Sequence, residues 1–125
     1  MNCNNSSLFK LFKGFKTAFR GVGIAIRSER NLRLHFIIMF GVIFCGFFLR
    51  ISMFEWLIVI TMFGLVISFE LLNTAVEKLC DVIEPNKDER IRTIKDISAA
   101  AVLWSAIMAF GVGLLIFLPK IISLL

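Results

Sequence analysis

A chain of 125 residues with 58% hydrophobic composition and a mean hydropathy of +0.88 carries its apolar residues in blocks too long for a water-soluble core. One all-α membrane domain spanning residues 1–125 is expected, small enough that assembly with copies of itself is plausible. The net charge of +5 does not point to nucleic acid, because the basic residues are sorted by position along the chain.

The first element in chain order is an amphipathic helix over about 8–27. Leu8, Leu11, Phe12, Phe15, Ala18, Phe19, Val22 and Ile26 share one arc, and Lys10, Lys13, Lys16, Arg20 and Arg27 the other. Phe9 breaks the pattern. Such a basic helix suits the headgroup layer of a membrane; a soluble helix packed on a partner is the alternative.

Three hydrophobic spans follow, over about 34–53, 54–83 and 97–118. The first is short up to Arg50, with Ile51 to Phe54 available to complete the roughly 20 residues a bilayer requires. The second opens near Trp56, a residue suited to the interface, and projects past the membrane to Ile83. Pro85 ends it. The third is rich in Ala, Ser and Gly surfaces for close helix contact, and Pro119-Lys120 reads as its stop.

Seven basic residues precede the first span and five (Lys78, Lys87, Arg90, Arg92, Lys95) fall around the second connection, leaving Arg50 and Lys120 for the opposite side. The positive-inside rule puts the N-terminus and the second connection in the cytoplasm. Cys3, Cys45 and Cys80 show neither a disulfide framework nor a metal knuckle, and no secretory signal peptide is evident.

The chemistry concentrates on the second span. With Glu70 as zero at 100° per residue, Asn73 lies near about −60°, Glu77 about −20°, Asp81 about +20° and Glu84 about −40°. A carboxylate in hydrocarbon costs roughly 2.5–3.5 kcal/mol on insertion scales, so an acid at the end of an apolar run marks a functional site or a protonated packing group. Glu70 suits a general base or a proton carrier. Glu77 lies nearer the cytoplasmic end; two carboxylates joined by nucleotide phosphates make a Mg²⁺ site, with Glu29 as the possible second ligand or simply a solvated acid. Asn73 and Asp81 also suit helix bridging. Asp96 reads equally as an N-cap and Lys95 as a juxtamembrane charge, while His35 reads as interfacial rather than as a ligand. No phosphate-binding loop of the G-x-x-x-x-G-K-[ST] or G-x-G-x-x-G type is present.

Glu70-Leu71-Leu72-Asn73-Thr74-Ala75-Val76-Glu77, followed by Asp81, resembles the signature of the small prokaryotic diacylglycerol kinase family. Lys95-Asp96 with Ala99-Ala100-Ala101-Val102-Leu103 matches its second motif. Ser28-Glu29-Arg30-Asn31 with His35 is similar to the Gram-positive branch that includes undecaprenol kinases. The resemblance runs from about Phe15 to Leu118. It implies an integral membrane lipid kinase with three spans and a surface helix, using ATP and Mg²⁺ and assembled as homotrimers with shared active sites. It further implies Glu70 as catalytic base touching the lipid alcohol, Asn73 arranging the site, and Glu29 and Glu77 as metal ligands that also meet the nucleotide. Asn86, Lys87, Asp88, Lys95 and Asp96 become nucleotide contacts and Ala99 a substrate contact. Two departures stand out: Asp88 occupies about the position of a histidine common in that loop, and Ala99 replaces a frequent serine. Undecaprenol is the expected lipid and diacylglycerol the runner-up. Rival classes are a proton-coupled transporter using Glu70 and a structural membrane adaptor.

Overall fold

The computed structural model describes residues 3–125, with the side chains of 3–5 outside the description. The chain forms α1 (Cys3–Ser28), α2 (Arg30–Leu49), α3 (Met53–Ile83) and α4 (Glu89–Leu124), and no strand among the described residues. Cys45 and Cys80 are free thiols; the Cys3 side chain lies outside the described residues.

The amphipathic helix begins earlier than the expected residue 8. Most of α1 is exposed, Phe12 and Phe19 included, and only its C-terminal turn is seated, through buried Ala25. Arg33 of α2 holds that end: its Nη1 donates to the carbonyls of Ile26 at 2.7 Å and Arg27 at 3.0 Å. A helix leaves its last carbonyls without intrahelical donors, and a guanidinium is a good cap for them. Between α1 and α2, Glu29 takes an extended conformation (φ −120°, ψ 115°) at the N-cap, yet its side chain makes no capping bond. The carboxylate is left for other work.

The expected first span, 34–53, is divided by a turn. Arg50 adopts left-handed φ 53°, ψ 55°, with its N–H directed to the Phe47 carbonyl and that of Ile51 to the Gly46 carbonyl. This 5→2 and 6→1 pairing is a Schellman closure. Ser52 then caps α3 at once: its hydroxyl accepts from Glu55 N–H at 3.1 Å, and Glu55 Oε1 accepts from Ser52 N–H at 3.0 Å. Ile51 to Phe54 therefore turn the chain and start α3 instead of lengthening α2. Buried Ile51 packs under the turn with Val59 and Ile116.

Gly46 is required there by contact. A Cβ on it would meet Trp56 Cη2 at 2.7 Å and Ile51 Cδ1 at 3.2 Å, and the Trp56 ring is itself braced against Phe47 with centroids 4.8 Å apart. Gly46→Ala is accordingly expected to destabilise the hairpin by about 1–3 kcal/mol. The check is the thermal midpoint of the detergent-solubilised protein, which should fall; an unchanged midpoint would mean that Trp56 moves aside freely.

At 1.5 Å per residue, α3 is about 46 Å long and overshoots an apolar layer of about 30 Å. Glu70 lies about 26 Å from its start, where the hydrocarbon runs out. The third span is longer than the expected 97–118 at both ends. Its N-cap is Asp88, which accepts from Arg90 N–H at 2.8 Å, so Asp96 lies inside the helix and is not its cap. At the far end α4 continues through Pro119 to Leu124. Proline deprives the Leu115 carbonyl of its donor, but Lys120 Nζ is 3.1 Å from Glu55 Oε1, pinning the following turn to the start of α3.

The α3–α4 pair forms the main packing contact, with α2 laid against both. Only 11%, 22% and 11% of the most apolar windows of α2, α3 and α4 are buried. Their remaining faces have to meet acyl chains or further protein.

Candidate functional site

The polar stripe of α3 turns inward. Glu70 is 3% exposed, as is Thr74, whose hydroxyl donates to the Glu70 carbonyl at 2.9 Å and so satisfies itself within the helix. Among the described residues the Glu70 carboxylate is met by His35 of α2, with Nε2 3.0 Å from Oε1. Sequence reasoning places His35 at the interface and does not foresee this contact with Glu70. The signal was available in the turn: His35 and Glu70 stand about 24 and 28 Å from Ile51 along antiparallel helices, and so meet at nearly one level.

Around this pair is a cavity of about 240 Å³ lined by Asn31, Leu34, His35, Glu70, Asn73, Ala99, Val102, Leu103 and Ala106. Glu70, Asn73 and Ala99 are thus brought together as expected, and Asn31 and His35 join them unannounced. Among the described residues Asn73 Oδ1 is buried without a partner, and the Asn73 side chain also acts on Glu77. An orphaned buried acceptor is costly, and here it is available to a hydroxyl or water entering the cavity.

His35 and Ala106 also line a second, almost wholly apolar groove of about 410 Å³ between α2, α3 and α4. It runs beside Val42, Cys45, Phe63 and Gly113 to Phe117 and Ile121. The Glu70 pocket and an apolar groove suited to hydrocarbon therefore share a wall at His35 and Ala106.

On the other side, the α3–α4 connection encloses about 510 Å³ lined by Asp81, Glu84, Asn86, Lys87, Asp88, Arg92, Lys95 and Asp96, among others. All five loop and α4 residues expected to meet a nucleotide share this space. Two are already engaged. Lys95 Nζ is 2.6 Å from Asp81 Oδ1, a pairing absent from the sequence reading. Asp88 is bonded by the Arg90 guanidinium, Nη2 to Oδ2 at 3.0 Å, which holds its carboxyl below the usual carboxylate range. Its charge is committed to Arg90 and to capping α4.

Glu29 and Glu77 line neither the loop cavity nor the Glu70 pocket, but each lies in the other's electrostatic field, and Glu29 also acts on Glu70. Neither forms an ion pair among the described residues. No group of three ligating side chains is assembled among the described residues. Two mutually repelling carboxylates, with Lys95 and Asn73 also acting on Glu77, nevertheless fit a hard divalent cation, since Mg²⁺ is usually held by one or two carboxylates with water and phosphate completing its shell.

Three apolar helices, with a buried carboxylate where one emerges and a charged cavity beyond it, define a polytopic membrane protein with its polar site at one membrane face. The chain belongs to the prokaryotic diacylglycerol kinase family, whose model matches residues 16–117. It is 38% identical over 118 residues to the undecaprenol kinase of Bacillus subtilis, covering 94% of this chain and 96% of that one. It is 34% identical over 116 residues to a diacylglycerol kinase of Synechocystis, covering 92% of this chain and 66% of the relative. The protein is a lipid kinase, and the transporter and adaptor readings fall away.

Proposed function

We propose that this protein transfers the γ-phosphoryl group of ATP to the hydroxyl of undecaprenol, with Mg²⁺ as cofactor. The observation that carries the reading is the buried Glu70 carboxylate in a pocket that adjoins an apolar groove at His35 and Ala106. An alcohol whose tail lies in hydrocarbon can bring its hydroxyl to Glu70 without leaving the bilayer. Glu70 then accepts the hydroxyl proton as the oxygen attacks phosphorus, and Asn73 Oδ1 steadies the hydroxyl or an attendant water.

The triphosphate occupies the charged cavity, with Asn86, Lys87 and Asp96 around it and Lys95 exchanging Asp81 for phosphate. Asp88, held by Arg90, contributes through the backbone it caps. Glu29 and Glu77 hold Mg²⁺, which neutralises charge on the transferring group when bound. Ala99 leaves room beside Glu70 where a serine would add a hydroxyl contact. The basic face of α1 attracts anionic headgroups and nucleotide. The broad unburied faces of α2 and α4 support a homotrimer with its sites between protomers, and the distribution of Lys and Arg supports the bacterial plasma membrane with the N-terminus inside.

Diacylglycerol is the second reading, favoured by the name of the Synechocystis relative. The deciding assay offers purified protein Mg-ATP with undecaprenol or diacylglycerol separately and identifies the phosphorylated lipid. Undecaprenyl phosphate is expected, at a kcat/KM at least about tenfold above the other product, the order of discrimination a hydrophobic pocket can supply. The reverse preference replaces the lipid, and failure to phosphorylate either overturns the reading.

A further inference from the structure

We infer that His35 is a positioning residue for the proton-accepting carboxylate: its imidazole fixes Glu70 through Oε1 so that Oε2 faces the incoming hydroxyl. The inference rests on Glu70 being the base, as proposed above, and adds a role that the α3 motif does not contain.

Glu70 lies a little past the middle of α3, on a side chain with several rotatable bonds. Nothing within α3 bonds its carboxylate: Thr74 takes the backbone carbonyl, and Asn73 reaches Glu77. Among the described residues, the polar contact that restrains the carboxylate comes from His35, with Nε2 3.0 Å from Oε1. The imidazole reaches it from α2, a different wall of the pocket, and is itself largely buried, with its side chain 20% exposed. A ring clamped between two helices has few alternative rotamers, so it can hold a carboxylate more tightly than solvent could.

The place of His35 in the cavities gives the restraint a direction. It lines both the apolar groove and the polar pocket, and Ala106 is the other residue to do so. A lipid alcohol drawn from the groove therefore passes the imidazole before meeting Glu70. With Nε2 against Oε1, the imidazole screens that oxygen, which leaves Oε2 as the atom to meet a hydroxyl in the pocket that Glu70 shares with Asn31, Asn73 and Ala99. A proton transfer needs this alignment, because displacing a reacting group by about 1 Å can cost about 10²-fold in rate. In the proton balance His35 keeps its Nε2 hydrogen throughout, while the hydroxyl proton goes to Oε2.

The test compares three substitutions of His35 in the intact membrane protein, with kcat and both KM values measured separately. His35→Gln places an amide N–H near the position of Nε2 and should keep kcat within about fivefold. His35→Asn is too short to reach Oε1, and His35→Leu has no donor; both should lower kcat by about 10²-fold while KM for ATP and lipid stays within about threefold. In the Glu70→Gln background, adding His35→Leu should cost nothing further, since the group being positioned no longer accepts a proton. The Asn and Gln variants are both polar and differ mainly in reach, so the comparison survives if the Leu variant folds poorly.

Normal kcat in the Asn and Leu variants would overturn the inference. So would a Gln variant as inactive as Leu, because an amide donor in the place of Nε2 would then fail to restore the alignment. Either result with an inactive Glu70→Gln enzyme leaves the base assignment standing; an active Glu70→Gln enzyme overturns that assignment and this one together.

Discussion

Glu70→Gln is expected to lower lipid phosphorylation by about 10³-fold, within the range a general base contributes, while leaving the fold and ATP binding intact. The substitution preserves size, and its carbonyl oxygen can still accept from His35 Nε2, now 3.0 Å from Glu70 Oε1. The seating of α2 against α3 should therefore persist, and the thermal midpoint should change little. What is lost is the ability to accept a proton at the edge of the hydrocarbon, where water cannot readily substitute. The charged cavity at the α3–α4 connection, where the nucleotide is proposed to sit, is built from other residues, so nucleotide affinity measured by calorimetry should match the parent. Turnover within tenfold of the parent would remove Glu70 from the chemistry.

Glu77→Gln should reduce kcat/KM by about 10²-fold and raise the Mg²⁺ concentration needed for half-maximal rate, on the scale of a lost metal contact. Glu77 and Glu29 repel one another, and neither has a cationic side chain paired with it among the described residues. A cation between them relieves that repulsion, whereas one neutral amide halves the charge offered to the ion. Glu29→Gln should act alike, and the double variant should be little worse than either single one, because both serve one site. Mg²⁺ titrations of activity provide the check. An unchanged metal requirement in both single variants would separate the pair from the metal.

The α3 motif was legible because it is local. Residues at positions 70, 73, 77 and 81 fall on one stripe by the helical repeat alone, and an acid within an apolar block is conspicuous whatever the tertiary structure. The three hydrophobic helices and the amphipathic α1 were readable for the same reason, since length and periodicity are properties of single segments. Their ends were less so. Arg50 in a left-handed conformation is not advertised by its residue type, and the capping box of Ser52 and Glu55 was hidden in what read as a continuing span. Pro119 misled in the opposite sense, because proline usually stops a helix and here Lys120 and Glu55 hold the next turn in place.

Composition and helical repeat alone determined that this chain crosses a membrane and carries an acidic ridge on its second span. Only the tertiary structure decided which groups face that ridge: His35 on Glu70, Lys95 on Asp81, and a groove meeting a polar pocket at His35 and Ala106. The reason is that helix–helix contacts depend on where each rod ends and how it is rotated. The turn at Arg50 and the cap at Asp88 set both.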